Sequence, residues 1–331
     1  MRRALPRPYY TGPVSDHFDG TRFFNPDGGA PRSLVEVLRW RIGGRREPWP
    51  RSLPSPCPPD RPPPRVANGL RVVLVGHATF LIQAEGLNIL TDPVWSERAS
   101  PLPFFGPRRR SPPGIAFDDL PTIDLVLLSH NHYDHLDLPT LSRLWRRDRP
   151  RMLAPLGNDA IIHRHDPDIL VEARDWDDSV ALAPNATASL VPATHWSARG
   201  THDRNHALWS GYVLRLGPHS LYFAGDTGFG EGRLFRSIAE RATRLDVALL
   251  PIGAYEPRWF MSPQHMNPEE AVRAFQLLGA RQALGCHWGT FRLTDEGPLR
   301  PAADLSIALA DQGIDATRFL ALRPGEAWVA P

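Results

Sequence analysis

The 331-residue chain contains no lysine, so all 38 of its basic side chains are arginine. With 36 acidic residues the formal net charge is only +2, and we find no basic footprint for a nucleic acid. Arginine pairs with phosphate through a planar fork, so a phosphate-bearing partner fits this usage. A genome-wide bias toward arginine, proline and alanine would produce the same composition, and both explanations stay open here.

Cysteine and long apolar runs are also scarce. The two cysteines, Cys57 and Cys286, are too few for a disulfide framework, which points to a reducing compartment. No apolar run approaches the ~20 residues that a membrane-spanning helix needs, and the basic residues 1–6 have no apolar segment behind them of the kind a signal peptide requires. We therefore expect a cytoplasmic protein, with peripheral contact to a membrane left open.

The first 64 residues are rich in proline, arginine and glycine and show little periodicity. They predict an N-terminal extension with one short helix near residues 33–41, ending in a stiff proline-rich connector. The remainder, residues 65–331, is long enough and apolar enough to form one folded domain with a sizeable core.

From Leu70 the pattern changes to strands that alternate with helices, which predicts an α/β fold. Strands are expected at residues 71–75, 79–83, 87–91, 151–154, 168–171 and 188–192. Helices are expected after Asp137, after Asn267 and from Pro301, each with a proline near its first turn. The intervening residues 95–121 form a long irregular segment, either a lid or substrate rim or a solvated run of charge.

Residues 129–135 carry three histidines and an aspartate directly after the apolar run 125–128. The four potential ligands are His130, His132, Asp134 and His135. Neutral imidazoles and a carboxylate on one strand-end loop can converge on cations, and zinc suits this mixture of nitrogen and oxygen ligands. The loop therefore predicts a metal site whose remaining ligands come from elsewhere in the chain.

Three later strands are also followed by a residue that can bind a metal ion. His195, Asp226 and His287 each follow an apolar segment, and an aspartate in such a turn can bridge two cations. Taken singly each has an ordinary structural explanation, but together with residues 129–135 they favour one metal centre. His77 and Asp92 also lie at strand ends, and each is either a ligand or a local hydrogen-bonding anchor.

The arrangement His130-x-His132-x-Asp134-His135 with His195, Asp226 and His287 resembles the ligand set of the metallo-β-lactamase superfamily. This resemblance covers Leu70 to the C-terminus and implies a four-layer αββα sandwich behind the proline- and arginine-rich extension. Longer stretches resemble the N-acyl-phosphatidylethanolamine-hydrolysing phospholipase D family. These stretches are residues 129–137, 223–228, 251–261, 264–265, 268–272 and 287–291.

The resemblance implies two zinc ions per chain, with iron or manganese left open. One ion would be held by His130, His132 and His195, the other by Asp134, His135 and His287, with Asp226 bridging. Tyr133 and His265 would lie near the phosphodiester. Asp134 would also orient the nucleophile, and His265 would either protonate the leaving alkoxide or hold the phosphate. Packing for Tyr133 and a helix-preceding cap for His265 are the alternatives.

The resemblance implies a phosphodiesterase that cleaves N-acyl-phosphatidylethanolamine-like phospholipids on the phospholipase D side, with a homodimer left open. One alternative is a metallo-hydrolase of a soluble phosphodiester or lactone, because the rim of a site rather than the fold selects the substrate. The other is a non-catalytic binding module, which would be expected to lack ligands that are present here.

Overall fold

The computed structural model describes residues 8–28, 34–242 and 244–330, which form two seven-stranded sheets with helices on their outer faces. Across the first sheet the strands are β14 (Ala327–Val329), β1 (Leu70–Gly76), β2 (Thr79–Ala84), β3 (Leu87–Thr91), β4 (Leu125–Leu127), β5 (Arg151–Pro155) and β6 (Glu172–Arg174). Across the second they are β13 (Phe319–Leu320), β12 (Gln282–Cys286), β11 (Val247–Pro251), β10 (His219–Phe223), β9 (Gly211–Leu216), β8 (Ala186–Val191) and β7 (Ser179–Ala183). The helices are α1 (Leu34–Gly43), α2 (Leu138–Asp148), α3 (Asn158–His165), α4 (Arg233–Ala242), α5 (Arg258–Met261), α6 (Pro268–Leu278) and α7 (Arg300–Asp311).

Each sheet is antiparallel in one half and parallel in the other. In the first sheet β14, β1, β2 and β3 pair antiparallel, and β3 to β6 pair parallel. In the second sheet β7 to β10 pair antiparallel, and β10 to β13 pair parallel. The loops after β4, β10 and β12 therefore open at the carboxyl ends of parallel strands, where α/β proteins place their ligands.

Strand β1 shows how the layers are built. Its side chains alternate: Val72 and Leu74 pack between the two sheets, whereas Val73 and Val75 pack toward α2 and α3. Both faces are buried, which is why the strand reads as a continuous apolar run rather than an alternating one. The outer face of the second sheet packs in the same way on α4, α6 and α7, so the predicted four-layer αββα sandwich is confirmed.

The helix signals are accurate where capping chemistry is strong. Asn267 caps α6 through its side chain, Glu270 completes the capping box, and Gly279 ends the helix in a left-handed conformation. The strand predicted at residues 168–171 is wrong. Ile169 is buried there without strand pairing, Leu170 is 68% exposed, and β6 begins only at Glu172.

The N-terminal residues pack on the sandwich. Phe18 and Phe23 are buried beside Trp209, and the irregular segment 44–69 donates and accepts hydrogen bonds along the first sheet. Helix α1 covers the predicted helix as far as it lies in the described residues, since Ser33 is outside them. None of the described helices is both long enough and apolar enough to span a bilayer.

Candidate metal centre

The predicted ligands come from both sheets and meet at the carboxyl ends of their strands. Residues 129–135 follow β4, His195 follows β8, Asp226 follows β10 and His287 follows β12. All their side chains are buried or half-buried. Potential ligands as far apart in sequence as His130 and His287, which are 157 residues apart, therefore share one site.

The first donor set consists of three histidines and one carboxylate. His132 Nδ1 lies 2.9 Å from His130 Nε2 and 3.2 Å from His195 Nε2. Asp226 Oδ2 lies 3.9 Å from His130 Nε2 and 3.7 Å from His195 Nε2. These four atoms surround one point.

The second donor set lies directly beside the first. His135 Nε2 and His287 Nε2 are 3.2 Å apart, and Asp134 Oδ2 lies 3.5 Å from the former and 3.4 Å from the latter. Asp226 Oδ2 is 3.2 Å from each of these two ring nitrogens. The Asp226 carboxylate therefore belongs to both sets.

The donor atoms fit divalent cations better than they fit one another. Tetrahedral coordination at about 2.0–2.1 Å separates neighbouring ligand atoms by roughly 3.3 Å, close to the spacings in both sets. Hydrogen bonds do not explain the first set. His132 Nδ1 has two close nitrogen neighbours, and one proton shared among the three atoms can form a hydrogen bond in only one of the two contacts. Asp226 Oδ1 and His132 Nε2 are also buried without a partner among the described residues. The centre is therefore suited to hold divalent metal.

The two sets differ in how they hold protons. Burial lowers the pKa of His132 to about 4 and that of His195 to about 3, and it lowers the pKa of His130 well below its usual value. In the second set, burial also disfavours the protonated form of His287, but the negative carboxylates of Asp226 and Asp134 favour that form more strongly. They raise the pKa of His287 to about 9. The first set is thus neutral and ready to coordinate, whereas a cation at the second must displace protons.

Comparison with known proteins identifies the family of the chain. A family model described as "Beta-lactamase superfamily domain" matches residues 87–288. The chain belongs to this superfamily. It is 39% identical over 273 residues to N-acyl-phosphatidylethanolamine-hydrolyzing phospholipase D 1 of Caenorhabditis elegans. The aligned residues cover 80% of this chain and 76% of that protein. It is 30% identical over 227 residues to a UPF0173 metal-dependent hydrolase of Pyrobaculum neutrophilum, covering 67% of this chain and 86% of that protein.

The fold is similar to that of a solved metallo hydrolase. The metallo hydrolase Igni18 of Ignicoccus hospitalis matches with a TM-score of 0.58 at 21% identity, covering 80% of this chain and 99% of that one. Superfamily membership, these relatives and the cluster of histidine and aspartate donors make the chain a metal-dependent hydrolase.

Two polar residues with roles left open by the sequence contact the candidate ligands. Asp92 Oδ2 accepts hydrogen bonds from His135 Nδ1 at 2.7 Å and Ser129 Oγ at 2.6 Å, and its Oδ1 accepts one from Ser129 N at 2.7 Å. Both oxygens of Asp92 are therefore used as an anchor. His77 Nε2 donates to Asp134 Oδ2 at 2.8 Å, which orients that carboxylate from behind.

Gly225 fixes the turn that presents Asp226. Its φ is +59°, in the left-handed region, and a Cβ atom there would come within 2.6 Å of Ser129 Cβ. The close approach joins the turn after β10 to the loop after β4, so the two sheets hold the shared carboxylate between them.

His265 and Tyr133 lie at the edge of the centre. His265 Nδ1 is 3.9 Å from Asp226 Oδ2 and has no hydrogen-bond partner among the described residues, and burial lowers the pKa of this ring to about 3. Tyr133 is half-buried, and its hydroxyl donates to the carbonyl oxygen of Arg199 at 2.9 Å.

Arg199 is a supporting residue that the sequence did not reveal. Its guanidinium lies 3.9 Å from the Tyr133 ring centre, and Nη1 donates to the carbonyl oxygens of Asn131 and Leu136 at 2.9 Å each. It thus connects the loop after β8 to the loop after β4 that carries candidate ligands. The only sequence signal is an arginine four residues after His195, which is too common a pattern to be selective.

Proposed function

We propose that the chain is a dinuclear zinc phosphodiesterase that cleaves phospholipids resembling N-acyl-phosphatidylethanolamine on the phospholipase D side of the phosphate. The observation that carries the proposal is the Asp226 carboxylate, whose Oδ2 lies 3.2–3.9 Å from donors of both sets. The 39% identity to a phospholipase D of that specificity supports the lipid substrate. Paired zinc ions supply an activated water and stabilise charge on phosphoryl oxygens.

The chain's own residues would position the reactants. The water oxygen loses a proton and bonds to phosphorus as the bond from phosphorus to the leaving alcohol oxygen breaks, and that oxygen takes up the proton that the water lost. Asp134, held by His77, orients the nucleophile. Burial keeps His265 neutral at pH 7, which favours an N–H donated to a phosphate oxygen over a proton given to the leaving group. Tyr133 would border the head group, its ring held in place by Arg199.

A metal count and a product assay test the proposal together. The purified chain should hold two zinc ions, and His132→Ala should lose one ion and turnover. His163→Ala, an exposed histidine of α3, should lose neither. Hydrolysis in isotopically labelled water should place the label in the phosphatidate.

The same assay separates the alternative substrate classes. A panel of soluble phosphodiesters and lactones is compared with N-acyl-phosphatidylethanolamine in vesicles. Turnover of soluble esters alone would overturn the lipid substrate and leave the metal-dependent hydrolase. Full activity in a metal-free preparation would overturn the zinc mechanism.

A lipid substrate implies contact with a membrane surface. Helix α1 supports this part of the proposal, because Val35, Leu38 and Ile42 are 75%, 58% and 78% exposed at helical spacing. The cytoplasmic location, the boundary between residues 64 and 65 and the homodimer stay predictions from the sequence. Light scattering of the purified chain tests the last of these.

A further inference from the structure

A cleft of about 690 Å³ lies beside the loop that precedes the metal-binding segment. Among the described residues, six arginines line it together with Phe104 and Phe105, and no acidic side chain does. The six are Arg46, Arg51, Arg98, Arg108, Arg110 and Arg292. We call this feature the arginine cleft.

Most of its positive charge is uncompensated. Arg46 pairs with Asp295 at 3.2 Å and Arg108 pairs with Glu97, so two of the six are neutralised and four remain. None of these four forms an ion pair with a carboxylate of the described residues.

The four unpaired arginines are also poorly satisfied by hydrogen bonds. Within the described part of the chain, the side chains of Arg98 and Arg110 donate only to backbone carbonyl oxygens, those of Gly106 and Arg51. The Nε atoms of Arg98, Arg110 and Arg292 are buried without any partner among the described residues. Unsatisfied buried guanidinium donors are costly unless a ligand completes them, and their planar forks match phosphate oxygens.

The rim of the arginine cleft is apolar and exposed. Phe104 and Phe105 are 76% and 70% exposed, and Leu102 on the same loop is 44% exposed. A cationic surface bordered by exposed aromatic rings suits the boundary between lipid head groups and acyl chains, where basic groups meet anionic phosphates and apolar side chains insert. A soluble anion would give these rings no role.

The arginine cleft adjoins the metal centre through one segment of chain. Arg292 and Leu293 line the cleft. The neighbouring Phe291 has its ring centre 5.2 Å from that of His77. Leu293 packs in the same small apolar cluster as Tyr133. A bilayer held at the cleft would therefore lie next to the proposed substrate site.

We propose that the arginine cleft docks the protein on membranes by binding the phosphate groups of anionic phospholipids while Phe104 and Phe105 insert among the lipids. The inference rests on the proposed function for its purpose, because an enzyme that takes a substrate from a bilayer must dock there. Docking itself requires no turnover and can be measured separately.

Co-sedimentation of the metal-loaded chain with vesicles tests this. One vesicle is phosphatidylcholine alone, and the other contains phosphatidylglycerol as well; neither contains N-acyl-phosphatidylethanolamine. We expect binding only with phosphatidylglycerol, weakened by salt. Each arginine near an anionic surface contributes about fivefold, so Arg51→Gln with Arg292→Gln should weaken binding by about 25-fold.

Matched controls carry the same change of charge elsewhere. Arg146→Gln with Arg215→Gln, two exposed arginines outside the cleft, should leave binding within about twofold of the parent. Phe104→Ser with Phe105→Ser should weaken vesicle binding without altering metal content, whereas Ile307→Ser, at another exposed apolar site, should not.

Several outcomes would overturn the inference. These are equal binding to both vesicles, equal losses in cleft and control variants, or binding of pyrophosphate by the cleft with no binding to vesicles. A chain that docks as expected but hydrolyses no lipid would overturn the proposed substrate and leave the docking site standing.

Discussion

Asp92 contacts the candidate metal centre indirectly, through its hydrogen bond with His135. Its carboxylate accepts the His135 Nδ1 hydrogen at 2.7 Å, which leaves Nε2 facing the second donor set. Asp92→Asn keeps the shape but loses the negative charge, and we expect about 10–100-fold weaker metal affinity at the second set. Competition with a chromophoric chelator measures this. Asp311→Asn, an exposed control, should change nothing, and an unaltered affinity in Asp92→Asn would contradict the anchoring role.

The raised pKa of His287, about 9, predicts how zinc affinity depends on pH. In the metal-free protein His287 is protonated below about pH 9, so zinc must displace that proton at pH 7. The affinity of the second set should therefore fall about tenfold per displaced proton for each unit that the pH is lowered. The first set, with pKa values of about 3 for His195 and about 4 for His132, should change little between pH 8 and 6.

Zinc titrations at several pH values measure the two affinities. The weaker-binding ion at pH 6 should be the one lost in His287→Ala. Two sites that weaken in parallel as the pH falls would contradict this difference in protonation.

Asp137 precedes α2 at the N-cap position, as the sequence predicts, but its carboxylate does not cap the helix. It accepts hydrogen bonds from the backbone of Trp95 at 3.1 Å and Ser96 at 2.9 Å, and from Ser96 Oγ at 2.7 Å. The residue that precedes α2, Asp137, thus also anchors the long loop that leads to the arginine cleft.

Asp137→Ala should leave the half-buried backbone N–H of Ser96 without its acceptor. We expect a loss of about 1–3 kcal/mol in the free energy of unfolding, measured by urea denaturation, and faster proteolysis of residues 95–110. Asp311→Ala, exposed near the end of α7, should stay within about 0.5 kcal/mol of the parent. Equal effects in the two variants would show that Asp137 does not anchor the loop.

The metal centre joins the two sheets of the whole molecule. Four donors follow β4 of the first sheet, and His195, Asp226 and His287 follow strands of the second. A cation that binds only the folded state stabilises it by linkage, by about 4 kcal/mol per site when free zinc exceeds its dissociation constant about a thousandfold.

Removal of metal should therefore lower the thermal unfolding temperature of the entire sandwich. Chelation followed by calorimetry should show one transition at lower temperature, restored by added zinc. A transition unchanged by chelation would mean that the centre does not hold the sheets together.

The architecture was predictable because its signals are local. The continuous apolar strands from Leu70, the capping box at Asn267 and the glycine stop at Gly279 act within a few residues of sequence. Residues 168–171 misled the prediction because one buried side chain, Ile169, makes an irregular segment resemble a strand.

The sequence by itself was enough to predict the candidate ligands and the strand ends that carry them. The apolar pattern of a strand and the residues of the turn that follows it can be recognised within a short stretch of sequence. The resemblance already implied that Asp226 bridges two ions, whereas only the tertiary structure decided that Asp92 and His77 contact candidate ligands and that Arg199 lies against Tyr133. These contacts join segments far apart in the chain, and their distances follow from how two sheets pack, which no single segment encodes. The arginine cleft has the same origin: its six guanidinium groups come from three separate segments that only the fold brings to one surface.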